Sequence, residues 1–161
     1  MRHKPTKPKY TYYWHIHHDT LCEGTYNIKE RIAYIKKHKP KKEIPTRLRL
    51  MTPVLHPEKL PKKFSEVLDA FTKAQKIYIE AHDAFYADYI KARNASAKAS
   101  IAIPKDACAK TYAAYIKAFK AYSKVQEACI EAFTTYATQL EELHKKEHPN
   151  CPWDGKTIFP K

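Results

Sequence analysis

The chain has 161 residues, a length that suits one domain or a small domain with an extension. Thirty Lys and Arg against seventeen Asp and Glu give a formal net charge of +13, and 43% of the residues are hydrophobic, enough for a core. Two glycines stand where average usage of roughly 7% would give about eleven, which excludes glycine-rich phosphate loops and dinucleotide fingerprints.

Residues 1–9 carry Arg2, Lys4, Lys7 and Lys9 with two prolines and no apolar pattern, and are expected to be a disordered basic arm. No apolar segment follows them and no run approaches the roughly 18 residues of a membrane span, so neither a secretory signal nor a membrane partner is expected. Residues 10–18 alternate as a strand, with Tyr10, Tyr12, Trp14, Ile16 and His18 on one face and Thr11, Tyr13, His15 and His17 on the other. A helix is expected from Asn27, which stands three residues before Glu30 in capping-box spacing, and Ile28, Ile32 and Ile35 form its apolar stripe. Pro40 ends that helix inside a lysine run. Residues 46–54 predict a second strand, with Leu48, Leu50 and Val54 facing one way and Arg47, Arg49 and Met51 the other.

From Pro61 the period becomes seven. Phe64, Phe71, Tyr78, Phe85 and Ala92 recur at that spacing, and Tyr112, Tyr115, Phe119, Tyr122, Gln126, Cys129, Phe133, Tyr136, Leu140 and Leu143 alternate steps of three and four. A sustained period of 3.5 predicts a coiled-coil seam. A turn near residues 94–104, closing at Pro104, folds the two helices into an antiparallel hairpin. Large rings over small alanines are the expected packing. The whole is therefore α+β, mostly α. A small basic strand–helix–strand module spans 10–60 and a long antiparallel coiled-coil hairpin spans 61–147. A tail over 148–161 docks on the module through Trp153, Ile158 and Phe159, with 156–159 as a candidate strand.

Three blocks stand out along this order: Trp14-His15-Ile16-His17-His18; Glu30-Arg31-Ile32-Ala33-Tyr34-Ile35-Lys36 through Thr46-Arg47-Leu48-Arg49-Leu50; and Cys151-Pro152-Trp153-Asp154-Gly155-Lys156-Thr157-Ile158-Phe159. On these blocks, and on Ala114-Tyr115-Ile116-Lys117-Ala118 between them, the chain resembles a family of uncharacterised phage and bacterial metagenomic proteins with Ala-Tyr-x-Lys-Ala helical repeats. The resemblance implies this architecture and a phage or bacterial origin, and brings no activity with it.

Two constellations carry chemistry. His144 and His148 lie one helical turn apart and Cys151 follows after Pro149, a spacing that lets all three approach one ion. A tetrahedral zinc needs further donors, and His15 and His17, on one strand face, are the candidates; the expected cofactor is one zinc ion held among His15, His17, His144, His148 and Cys151. The alternative is that these side chains are simply packed or exposed. The four cysteines, widely spread, form no disulfide framework. The second constellation is Lys36, Lys37, Lys39, Lys41, Lys42, Arg47 and Arg49, a cluster suited to binding the phosphates of DNA or RNA, or to an acidic protein surface.

The leading expectation is a non-enzymatic protein binding nucleic acid non-specifically through its basic module, cytoplasmic in a bacterial host cell or virion-associated. One alternative is a protein–protein device or virion accessory factor using the hairpin, which also offers a route to homo-oligomers. Another is a metal-dependent His-Asn-His-like nuclease built on His17, His18, Asn27 and His38.

Overall fold

A computed structural model describes residues 9–104 and 106–160, so the expected basic arm lies, apart from Lys9, outside the described residues. The elements run β1 (Thr11–Trp14), β2 (Cys22–Thr25), α1 (Ile28–His38), α2 (Ile44–Leu50), a 3-10 turn (Pro57–Lys59), α3 (Lys62–Ala99) and α4 (Ala109–Glu147). This is an α+β chain, mostly helical, in which the two long helices pack against each other. It divides into two compact units: one comprises the N-terminal residues to Asp69 with Ala132 onward, and the other comprises Ala70–Glu131.

In the first unit, β1 and β2 form a two-stranded antiparallel sheet with Trp14 opposite Cys22. The strand expected over 10–18 stops at Trp14 because His15 takes φ 52°, a left-handed conformation in which alternation fails. Trp14, His15 and Ile16 are consequently all buried. Gly24, paired with Tyr12, lies beneath the Tyr10 ring, and a Cβ there would run into that ring unless it moved aside.

The expected α1 stripe is present: Ile28, Ile32 and Ile35 pack with Ile16, Met51, Tyr13, Ile44 and Leu48 in one core cluster. Asn27 sits at the N-cap position, but its amide donates to Glu30 Oε1 at 2.7 Å instead of capping the backbone. The second strand expected over 46–54 is a correction: residues 44–50 form α2. Ile44, Leu48 and Met51 also match helical spacing, and a half-formed sheet cannot compete with the core that this spacing fills. Only the end of the segment behaves as strand. Thr52 O accepts from Trp14 N at 2.8 Å, Val54 N donates to Tyr12 O at 2.9 Å, and Pro53 bridges Tyr13.

The tail packs through Ile158, which is 2% exposed and donates its N–H to His18 O at 3.0 Å. Phe159 lies 6.1 Å from the His18 ring, and the Arg47 guanidinium sits 5.1 Å over its face. Residues 156–159 are not a strand. The Asp154 carboxylate accepts the N–H groups of Lys156 and Thr157 at 2.9 and 2.8 Å, and the Thr157 hydroxyl accepts that of Phe159, so the local turn takes donors that a strand partner would need.

The long helices meet ring to ring in antiparallel order. Within the first unit Phe64 meets Phe133 at 5.1 Å; within the second, Phe71 meets Tyr122 at 5.5 Å, Tyr78 meets Tyr115 at 5.7 Å and Phe85 meets Tyr112 at 5.4 Å. α3 runs to Ala99, and Ser100, with φ 55°, ends it in the left-handed cap conformation. The seam departs from expectation on α4. Phe119 is 45% exposed and Tyr112 50%, while Ala118, Cys129 and Ala132 are buried. The helix is rotated so that its small residues face α3 and one row of its rings lies at the side of the contact.

Candidate metal centre and basic surface

Three segments bring the candidate donors together. His15 is delivered by the left-handed turn after β1, His144 by the last turns of α4, and Cys151 by the turn that Pro149 forces after that helix. His148 N donates to His144 O at 2.7 Å and Cys151 N to His148 O at 3.1 Å, so the chain curls back beneath the helix end. His15 Nε2 and His144 Nε2 are 3.0 Å apart, and Cys151 Sγ is 3.4 Å from the same His15 nitrogen. One ligand atom from each of the three lies within 4.8 Å of the others. This cluster can hold a metal ion.

Its surroundings are built. Both imidazoles are 2% exposed, and each is flanked by an indole: Trp14 lies 5.1 Å edge-on to His144, and Trp153 lies 5.1 Å from His15. Burial, and then the neighbouring His144, push the His15 pKa down to about 4; burial and His148 push His144 to about 4. Both rings are therefore neutral at pH 7, the form that binds metals. Burial raises the Cys151 thiol pKa, outweighing the Trp153 backbone hydrogen bond and the charge of Arg49 that pull it down, so without a metal the thiol stays protonated. His15 Nδ1 is buried with no partner within hydrogen-bonding distance, although the Thr20 backbone is close enough to offset the shift slightly. An orphaned buried nitrogen is costly. Metal ligation through Nε2 would fix the proton on Nδ1, pointed toward that backbone, as the outer partners of histidine ligands generally do.

The other two predicted donors stand apart. His148 Nε2 pairs with Thr52 Oγ1 at 3.0 Å, and its ring is 5.6 Å from that of His144. His17 is exposed and bonds Glu23 through Nδ1 at 2.8 Å, so it does not face the cluster. The turn at His15 breaks the shared strand face on which the two were paired. Glu147, absent from the sequence-based donor set, organises the site from behind: it accepts from Trp14 Nε1 at 2.8 Å and from the backbone N–H groups of Leu55 and His56 at 3.0 and 2.9 Å. Burial works against its charge, but these donors together hold its pKa below the usual carboxylate range. Its position directly before His148 is the one signal of this role that the sequence carries.

The basic cluster sits where α1 turns into α2. Lys36, Lys37, Lys41 and Lys42 are exposed, and Lys39 is half-buried with its ammonium 5.6 Å from the Tyr34 ring centroid; Arg49, also exposed, lies at the far end of α2 beside His148 and Cys151. Among the described residues none of these six makes an ion pair. Arg47 differs: it is 6% exposed, bonds Glu43 Oε2 at 2.7 Å and stacks on Phe159, so it belongs to the interior instead of the basic surface. Tyr34, 47% exposed, lies among these cations, with the His38 ring 4.8 Å away and Arg31 5.3 Å over its face. Of the residues that suggested a nuclease, Asn27 holds Glu30, His17 holds Glu23 and His38 lies against Tyr34. No helix is long and apolar enough to cross a membrane among the described residues.

No family model, curated protein or solved structure matches this chain.

Proposed function

We propose that this chain binds nucleic acid non-specifically through the corner joining α1 and α2, and that a zinc ion holds its tail against the start of the chain. The observation that carries the first part is the set of Lys36, Lys37, Lys39, Lys41, Lys42 and Arg49, which has no ion pairs among the described residues. The five lysines of this set, gathered around one corner, repel one another, and a phosphate backbone relieves that repulsion while releasing its counterions. Exposed Tyr34 adds a ring on which a base can stack. Replacing Lys36, Lys37, Lys41 and Lys42 with Gln should weaken binding to every sequence tested. It should also flatten the salt dependence by roughly one unit of slope for each phosphate no longer neutralised. A wild-type protein that shows no retention on single- or double-stranded nucleic acid at low salt overturns the reading.

The zinc assignment rests on spacing and donor chemistry. Zn–N bonds of about 2.05 Å and Zn–S bonds of about 2.3 Å put neighbouring tetrahedral donors about 3.3–3.6 Å apart. The 3.0 Å His15–His144 and 3.4 Å His15–Cys151 separations come close to those edges. His148 supplies the fourth donor by leaving Thr52. Elemental analysis of protein purified without a histidine tag should find close to one zinc per chain. His15→Ala with Cys151→Ser should abolish it. The chain has two tryptophans, and both flank the cluster, so zinc titration should change tryptophan fluorescence. An unchanged spectrum with no bound zinc overturns the assignment.

A further inference from the structure

We infer that the aromatic side of the hairpin unit, Ala70–Glu131, seats a second copy of this chain. The starting point is a shortage of core. Among the described residues of this unit only Ser96, Ala118 and Cys129 are buried, and all three are small. Its ring pairs, such as Tyr78 stacked on Tyr122 at 5.2 Å, are half-buried at best. Units below about 70–80 residues need a disulfide, a metal or association to supplement such a core. No disulfide links the cysteines, and among the described residues the one metal-competent cluster belongs to the other unit. Both helices continue into the first unit, and association is a further way to supply core.

The side on which it occurs follows from helix geometry. In an antiparallel pair, the positions four residues after the seam residues of each helix flank the same side. After Tyr78 and Phe85 these are His82 and Tyr89; before and after Tyr115 in the same row of α4 are Tyr112 and Phe119. Ile79, Tyr86 and Ile130 lie one step further round on that side. The ring contacts bear this out: His82 touches both Tyr86 and Tyr115, and Tyr115 touches both Tyr112 and Phe119. The exposures are 49% for Ile79, 56% for Tyr86, 37% for Tyr89, 50% for Tyr112, 45% for Phe119 and 62% for Ile130. The opposite flank of α4 carries Ala114, Ala121 and Ala128 instead. Exposed apolar residues are ordinary when scattered, but these six share one side; Ile77, 59% exposed, lies on the other flank of α3, and Ile101 and Ile103 lie in the connection between the helices.

Area and charge select the occupant. Half-exposed side chains of this size each leave roughly 100 Å² in water, and the six together approach the ~800 Å² that each partner contributes to a stable interface. Between Ile79 and Tyr89, the α3 rows on this side carry one charged residue, Asp83, which bonds its neighbour His82 at 3.2 Å; the matching α4 rows from Tyr112 to Ile130 carry Lys120 and Glu127. A phosphate backbone would meet one cation there and two carboxylates. A second copy presents the same sparsely charged strip, and a two-fold axis through the strip lets each hairpin cover the other as in a four-helix bundle.

Light scattering on the eluting full-length protein tests this directly. The expected mass is twice 18.8 kDa at tens of micromolar protein. Tyr86→Glu with Phe119→Glu should return it to 18.8 kDa with its helical circular dichroism retained, since both side chains are about half exposed. Ala114→Glu with Ala121→Glu, on the alanine flank, should leave the dimer intact. A wild-type protein that is monomeric throughout this range overturns the inference, whatever the variants do. So does a dimer that survives the first pair of changes and is lost with the second.

Discussion

The two units use their apolar residues differently. In the first, Trp14, Ile35, Phe64, Leu140 and Ile158 are each no more than 2% exposed, and they are drawn from β1, α1, α3, α4 and the tail. In the second, two helices face each other alone, and no large side chain is fully buried among the described residues. The difference is one of dimensionality. A ring between two cylinders is covered on two sides and open on the others, whereas a ring where strand, helices and tail converge is covered from every side. Burial free energy scales with area removed from water, so similar residues stabilise the two units unequally.

The sharpest way to break this comparison is to truncate one ring in each unit. Phe64→Ala should cost about 3–5 kcal/mol in denaturant unfolding, because Phe64 is 1% exposed and packed on Phe133. Phe119→Ala, at 45% exposure, should cost less than about 1 kcal/mol in the monomer. Equal losses would mean that the hairpin is packed as tightly as the first unit.

The buried histidines make the first unit acid-sensitive in a defined window. Their folded pKa values of about 4 lie below the unfolded value near 6.5, so the unfolded chain binds more protons between the two. Stability of the metal-free protein should be intact above pH 6.5 and fall as pH drops toward 4, with a slope on the order of 1.4 kcal/mol per pH unit for each histidine. His15→Gln should flatten that slope in unfolding curves measured across the window. With zinc bound the decline should steepen, because the proton competes with the metal for the same nitrogens.

Glu147 gives a smaller effect of the same kind. Its folded pKa is depressed, so its contribution is present above the unfolded carboxylate value near 4.3 and is lost as pH falls through the folded one. Glu147→Gln should lower stability by about 1–2 kcal/mol at pH 7. The difference from wild type should close in acid. A gap unchanged by pH would assign the effect to packing instead of charge.

Much of the fold was legible because its signals are local. A 3.5-residue period commits Phe71 and Tyr78 to one face of α3, and Tyr115 and Tyr122 to one face of α4, whatever surrounds them, and Pro40 ends α1 by lacking a donor. The spacing of His144 and Cys151 marked the C-terminal half of the donor cluster for the same reason, while His148, predicted with them, pairs with Thr52 instead. What lay beyond reach depended on neighbours distant in sequence. Leu48 fits both a strand and a helix register, and the core with Ile35 and Met51 chose the helix. By sequence Arg47 is one more surface cation; in the fold Glu43 and Phe159 close over it. His15 and His17 are equivalent by alternation, and one left-handed residue, held against Trp153 and His144, turns the first inward and leaves the second in solvent. Periodicity specifies which residues share a face; only the packed chain decides what that face meets, because burial is a property of both surfaces.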